Sequence, residues 1–153
     1  MAIDIGDEAP DFELKDQDGK DVKLSSFRGD HAVAVVFYPF TFTGVCEGEL
    51  CQLRDDYSTF ENAGVRVLAI SCDSRHAQRI WAEQMGYQFP VLSDFWPHGE
   101  VSKAYGVFNE AIGAANRATF VIDVNGKVVD TFASPDLGTA RPAERYEEAL
   151  AKL

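Results

Sequence analysis

With 153 residues, 46% of them apolar and 25% charged, the chain has the size and balance of one soluble globular domain that can bury a core. Its 25 acidic residues against 14 lysines and arginines leave a net charge of −11, which repels phosphate backbones and anionic lipid and so excludes nucleic acid and membrane as partners. No apolar run approaches the roughly 20 residues needed to cross a bilayer, and Met1–Leu14 lacks the basic and apolar regions of a secretory signal, so a mature cytoplasmic protein is expected.

No repeat, low-complexity tract or linker interrupts the sequence, and residues 1–153 read as a single domain. Phe12, Leu14, Val22 and Leu24 flank Asp16–Lys20 (DQDGK), which reads as a hairpin with an Asp-Gly turn. Ser25–Arg28 reads as a short helical turn. Val33–Phe37 has the composition of a strand buried on both faces. Pro39, with no N–H to give a ladder, ends it. Thr43 offers an N-cap oxygen, and Leu50 and Leu53 begin the apolar positions of a helix expected from about Thr43 to Ala63, closed by Gly64. Val65–Ile70 reads as a second buried strand. Arg75–Met85 reads as a helix with Ile80, Trp81 and Met85 on one side. Gly86–Pro90 turns the chain and Gly99–Tyr105 makes a short helix. Thr119–Ile122 and Val128–Phe132 form a hairpin through Asn125-Gly126, and Arg141–Leu153 closes as a helix. The alternation predicts an α/β fold.

Chemistry concentrates at Cys46. It falls in the first turn of a helix that leaves the end of a central strand, where unpaired N–H groups and the positive end of the macrodipole favour an anion. The sulfur is therefore expected as thiolate, whereas an ordinary thiol would be only about 3% ionised at pH 7. Three cysteines, Cys46, Cys51 and Cys72, cannot all pair in one chain, which points to redox or metal chemistry rather than a disulfide framework.

Pro39, Thr43 and Cys46 stand as P-x-x-x-T-x-x-C, which resembles the active-site signature of the peroxiredoxins, cysteine-based peroxidases. Arg117, in NRATFVID, is similar to the arginine those enzymes aim at the same sulfur. Read alone, an arginine before a strand is a solvated surface charge. The likeness runs from Gly6–Leu14 (GDEAPDFEL) to Phe120–Val129, and Phe89–Glu110 resembles most the alkyl hydroperoxide reductase E group of actinobacteria.

The resemblance implies a thioredoxin-like fold with an added N-terminal β-hairpin, no bound cofactor, a homodimer, and a thiol peroxidase acting on hydrogen peroxide, alkyl hydroperoxides or peroxynitrite. It implies Cys46 as the nucleophile oxidised to sulfenic acid, with Thr43 and Arg117 beside it and Pro39 as shield. Glu49 matches a family position on the helix, either supporting the site or merely structural. Phe40, Phe42, Trp81, Phe95, Trp96 and Phe108 are available for an apolar rim, although aromatics mostly belong to cores. His76 and His98 have no spacing that suggests a catalytic triad, and His98 reads as a helix-start residue.

Enzymes of the E group resemble one-cysteine peroxidases recycled by outside thiols such as mycothiol with a mycoredoxin. Cys51 departs from them. Its C-x-x-x-x-C spacing from Cys46 resembles the bacterioferritin-comigratory, or Q-type, peroxiredoxins, in which the second cysteine resolves the first; otherwise it fills a helix face. Five residues along an ideal helix separate Cα atoms by about 8.7 Å and roughly 140°, beyond the roughly 4.4–6.8 Å of a disulfide. The helix must therefore unwind on oxidation, and the reduced form is expected to hold both thiols free. Cys72, after the strand Val65–Ile70, is either an alternative resolving partner or a small apolar filler.

Two rival chemistries are set aside. Cys46, Cys51, Cys72 and His76 offer four soft metal ligands, but C-x₄-C is looser than the C-x₂-C of structural zinc sites, and no metal is expected. A thiol–disulfide oxidoreductase wants C-x-x-C at the helix start, where Glu49 stands instead.

Overall fold

The computed structural model describes residues 3–153; Met1 and Ala2, the start of the expected domain and of the stretch read against a signal, lie outside the described residues. The opening hairpin forms as β1 (Glu13–Lys15) and β2 (Asp21–Lys23), and a 3-10 turn follows at Leu24–Phe27. The apolar run then makes β3 (Ala32–Phe37), with all six residues buried. Helices α1 (Gly44–Asp55) and α2 (Tyr57–Asn62) lead to β4 (Val65–Ser71), and α3 (Arg75–Met85) leads to β5 (Val91–Ser93). After α4 (Glu100–Ala104) come a minor hairpin, β6 (Phe108–Asn109) and β7 (Ala114–Ala115), and then β8 (Ala118–Ile122), β9 (Val128–Ala133) and α5 (Glu144–Leu150).

The main sheet has seven strands in the order β2-β1-β5-β4-β3-β8-β9. β3, β4 and β5 run parallel, joined by helical crossovers, while β8 lies antiparallel to β3 and β9 antiparallel to β8. The N-terminal hairpin enters this sheet through a single pair, Lys15 with Ser93. Because side chains alternate along a strand, β3 and β4 feed two cores. Ala34, Val36, Val67 and Ala69 pack with Leu50, Leu53, Phe60 and Trp81 from α1, α2 and α3. Val35, Phe37, Leu68 and Ile70 pack on the other face with Phe12, Val101 and Tyr105. The α/β class and the added hairpin are as expected.

Four details differ from expectation. The helix predicted over 43–63 breaks at Asp56 (φ −96°, ψ 11°), in the sparsely allowed region typical of turns. Aspartate forms helix poorly, and the break lets Phe60 meet the Tyr146 ring edge-on. The last helix starts at Glu144 rather than Arg141: the Arg141 N–H is given to Glu49, and Pro142 has none. Ile80 is exposed, the buried face of α3 being Gln78, Trp81 and Ala82. Strands β5, β6 and β7, at two or three residues each, are too short to show a period.

Candidate active site

Parallel pairing of β3 with β4 brings their C-terminal ends together, and the loop between β3 and α1 is tied down there. The Thr41 N–H donates to Asp73 Oδ2 at 2.8 Å, Ser71 Oγ holds the same oxygen at 2.7 Å, and Gln78 Nε2 donates to Ser71 Oγ at 2.9 Å. Tyr38 and Thr41 hydroxyls meet at 2.9 Å. Pro39, within this loop, is buried. Phe42 sits at φ 67°, in a left-handed conformation uncommon for a bulky residue. The loop is held in one shape by polar anchors at the end of the next strand, and its tie from Thr41 to Asp73 joins residues 32 positions apart, a range over which the sequence carries no signal.

Thr43 has the extended backbone of an N-cap (φ −110°, ψ 147°), but its side chain does not cap α1. Its hydroxyl donates to the Phe40 carbonyl at 2.7 Å, so the expected cap bond is replaced by one that closes the loop on itself. Cys46 is the third residue of α1 and fully buried. Arg117, immediately before β8, reaches across to it: Nη1 stands 3.0 Å from Cys46 Sγ and 2.7 Å from Glu49 Oε1, and Nε donates to the Leu137 carbonyl at 2.8 Å. The guanidinium is only 4% exposed, and not the solvated charge its sequence context alone would indicate. It also borders a cleft of about 750 Å³ that includes Val107, Phe120, Pro135 and Leu137.

Glu49 follows Cys46 by three residues and so shares its face of α1. It is gripped from its other side by Arg141, whose N–H, Nε and Nη2 all donate to its carboxylate at 2.7–2.9 Å. Arg141 Nη1 continues to the Phe37 carbonyl and to Thr119 Oγ1. Burial alone would raise the Glu49 carboxyl, but the Arg141 hydrogen bonds and charge, then the Arg117 charge, hold it below its usual 4.5. The sequence marks Arg141 only as the start of the expected helix 141–153 and carries no signal for this role.

The chain is similar to known proteins along most of its length. Residues 5–131 match the AhpC/TSA family. The chain is 48% identical to alkyl hydroperoxide reductase E of Mycobacterium bovis over 99% of this chain and 98% of that protein. The chain belongs to the AhpC/TSA family. Among other members, chloroplastic peroxiredoxin Q of Sedum lineare is 40% identical over 80% of this chain and 65% of its own length. Among solved structures, peroxidoxin BcpB of Mycobacterium tuberculosis superimposes with a TM-score of 0.86 at 34% identity, covering 98% of this chain and 96% of that one. A reduced 2-Cys peroxiredoxin of Plasmodium vivax gives 0.87 at 28% identity, covering 97% and 81%. The thioredoxin-like fold of the AhpC/TSA peroxiredoxins is thus the fold of this chain.

The remaining candidates of the AhpC/TSA chain are dispersed. All three cysteines are free. Cys51 lies on the unbroken α1, half-buried, with its sulfur 3.6 Å from the Tyr87 hydroxyl. Cys72 is buried beside Ser102 Oγ (3.9 Å) and Ala115, which belong to the opposite face of the sheet from Cys46. Burial, then the charge of Asp94, pushes its thiol up to about 11. A thiol so protonated is a poor nucleophile at neutral pH. Cys72→Ser is therefore expected to leave both the rate of peroxide consumption and the oxidation products unchanged, as read by stopped-flow fluorescence and peptide mass analysis. Among the described residues no three His, Cys, Asp or Glu side chains converge as a metal site, and no helix is long and apolar enough to cross a membrane. His98 precedes α4 by two positions, its ring nitrogens facing the Phe95 and Gly113 carbonyls. Phe40, Phe42, Phe95 and Trp96 are exposed and Phe108 is half-buried, whereas Trp81 belongs to the core.

Proposed function

We propose that Cys46 is the nucleophile with which this peroxiredoxin reduces hydroperoxides, residues 1–153 acting as one domain. The observation that carries the reading is Arg117 Nη1 at 3.0 Å from Cys46 Sγ, inside a buried cluster of two guanidiniums and one carboxylate. Those fixed charges leave one positive charge in excess, and a Cys46 thiolate neutralises it. The thiolate attacks the terminal oxygen of the hydroperoxide. An S–O bond forms, the O–O bond breaks, and the departing oxygen takes a proton and leaves as water or alcohol, with Cys46 becoming a sulfenic acid. Arg117 faces the reacting atoms with a rigid fork of donors and stabilises the charge that develops on oxygen. Thr43 shapes the loop through Phe40, and its oxygen keeps lone pairs that can accept the hydroperoxide O–H. Pro39 keeps bulk water from the sulfur. Glu49, held by Arg141, fixes the position of Arg117.

Cys51 then resolves the sulfenic acid through a Cys46–Cys51 disulfide, and an outside thiol (thioredoxin, or mycothiol with a mycoredoxin) returns the enzyme to its reduced form. The substrates are hydrogen peroxide, alkyl hydroperoxides or peroxynitrite, the setting is the cytoplasm, the assembly a homodimer, and no cofactor takes part. The test is peptide mapping of protein treated with one equivalent of peroxide and then alkylated. The expected product is a Cys46–Cys51 crosslink. A trapped sulfenic acid on Cys46 without crosslink would assign the one-cysteine route and leave Cys51 as a helix-face residue. First oxidation at any other residue would overturn the assignment of Cys46.

A further inference from the structure

The two halves of α1 are built differently. Its C-terminal half is bolted to the turn between α3 and β5. Arg54 Nη1 donates to the Met85 carbonyl at 2.6 Å, Gln88 Nε2 donates to the Arg54 carbonyl at 3.4 Å, and the Tyr87 hydroxyl meets Cys51 Sγ at 3.6 Å. Tyr87 is itself immobilised, stacked on Phe89 (centroids 5.2 Å apart, planes 21°) and edge-on to Trp81 (5.2 Å, 87°). Burial first, then its bond with Cys51, pushes its phenol far above the ordinary range, so it keeps a proton to donate.

The N-terminal half carries Gly44 and Gly48, the poorest helix formers after proline. Neither is needed for packing, since a β-carbon at either position would meet nothing within 4 Å. Gly48 lies between the two cysteines, and the strained Phe42 lies just upstream. The helix is weak without steric reason as far as Gly48, and beyond it is held at Glu49 by Arg117 and Arg141 and pinned where the second sulfur sits.

We infer that Tyr87 is the positioning residue of the resolving step: its hydroxyl and the Met85–Gln88 turn hold Cys51 in place while the glycine-weakened start of α1 opens and carries Cys46 to it. This rests on the reading of Cys51 as the resolving cysteine. In the step itself the Cys51 thiol gives up its proton and its sulfur attacks the sulfenic sulfur of Cys46. An S–S bond forms and the S–O bond breaks. The departing hydroxide combines with a proton to leave as water. Cys51 is oxidised and Cys46 reduced by equal amounts, so no oxidant beyond the peroxide already consumed is required. The Tyr87 O–H donates to the Cys51 sulfur as negative charge gathers there.

Single-turnover kinetics on the full chain test this, with peroxide in slight excess and samples quenched by alkylation at successive times. Tyr87→Phe keeps the ring packing and removes only the hydroxyl. Cys46 should be oxidised at the wild-type rate, while disulfide formation slows about fivefold, the worth of one ordinary hydrogen bond. Gly48→Ala should also leave oxidation unchanged and slow disulfide formation about fivefold, because it stabilises the helix that must open. Merely loosening the packing around α1 would act in the opposite direction and hasten the disulfide. A wild-type chain that forms no Cys46–Cys51 bond overturns both the resolving role and the inference. A wild-type chain that forms it, with Tyr87→Phe equally fast or faster, overturns the role of Tyr87 alone. An unchanged Gly48→Ala rate overturns the opening of the first turns.

Discussion

Arg117→Met should lower the bimolecular rate of Cys46 oxidation by about 10²–10³-fold, the usual loss when a buried donor to developing charge is removed. The argument is geometric. Arg117 Nη1 is shared between the Cys46 sulfur at 3.0 Å and Glu49 Oε1 at 2.7 Å, so the guanidinium cannot follow the sulfur without leaving the carboxylate. Its Nε is fixed on the Leu137 carbonyl as well. Methionine fills a similar volume, removes the charge, and leaves Glu49 with its three donors from Arg141, so the fold should persist. Arg117→Lys is expected to recover only part of the rate. An ammonium is one compact point of charge and cannot serve Leu137, Glu49 and the sulfur from three directions. Stopped-flow tryptophan fluorescence with hydrogen peroxide gives the rates, and circular dichroism confirms folding. A folded Arg117→Met variant within about threefold of wild type would remove Arg117 from the reaction and, with it, the principal support for Cys46 as the nucleophile.

How much of this could be seen in the chain follows from the range of each interaction. Pro39, Thr43 and Cys46 lie within eight residues, so their grouping is local, and the strand-to-helix placement of the cysteine follows from Val33–Phe37 and the apolar spacing of Leu50 and Leu53. Arg117 was found through family resemblance; seventy-one positions from Cys46, its residue type gave no hint of burial. Arg141 had no comparable pointer. It stood at the edge of a helical pattern, and only the fold brings it against Glu49. The same applies to Asp73, whose grip on the Thr41 N–H crosses between adjacent strand ends. The break at Asp56 escaped because apolar positions continue on both sides of it, and the turn is set by what Phe60 packs against. The Thr43 cap failed for a local reason: its hydroxyl found the Phe40 carbonyl instead of a helix N–H, a competition that Ser and Thr side chains routinely offer.

Glu49→Gln is expected to cost about 3–5 kcal/mol, because breaking one partner of a buried ion cluster leaves the others unpaired. Glu49, Arg117 and Arg141 have side chains only 7%, 4% and 1% exposed, so water does little to screen them. The substitution changes shape hardly at all, and an amide still offers one acceptor. What it removes is the negative charge that keeps two guanidiniums together beside Cys46. At roughly 2–4 °C per kcal/mol for a domain of this length, the melting temperature should fall by about 10 °C. The pH dependence supplies a second readout whose sign is fixed. Glu49 titrates below 4.5 in the folded chain, so its contribution is complete above about that pH and is lost as the pH falls through the depressed value. Wild-type stability should therefore decline in that acid range by an amount the Gln variant does not show. Thermal melts of both proteins from neutral pH down to pH 3 measure the difference. Parallel curves separated by a constant would mean that the carboxylate contributes through packing alone, and equal melting temperatures at neutral pH would mean that Arg117 holds its position without it. If the cluster works as its geometry indicates, peroxide oxidation of Cys46 slows in the same variant by about tenfold, since a guanidinium released from Glu49 is no longer aimed at the sulfur.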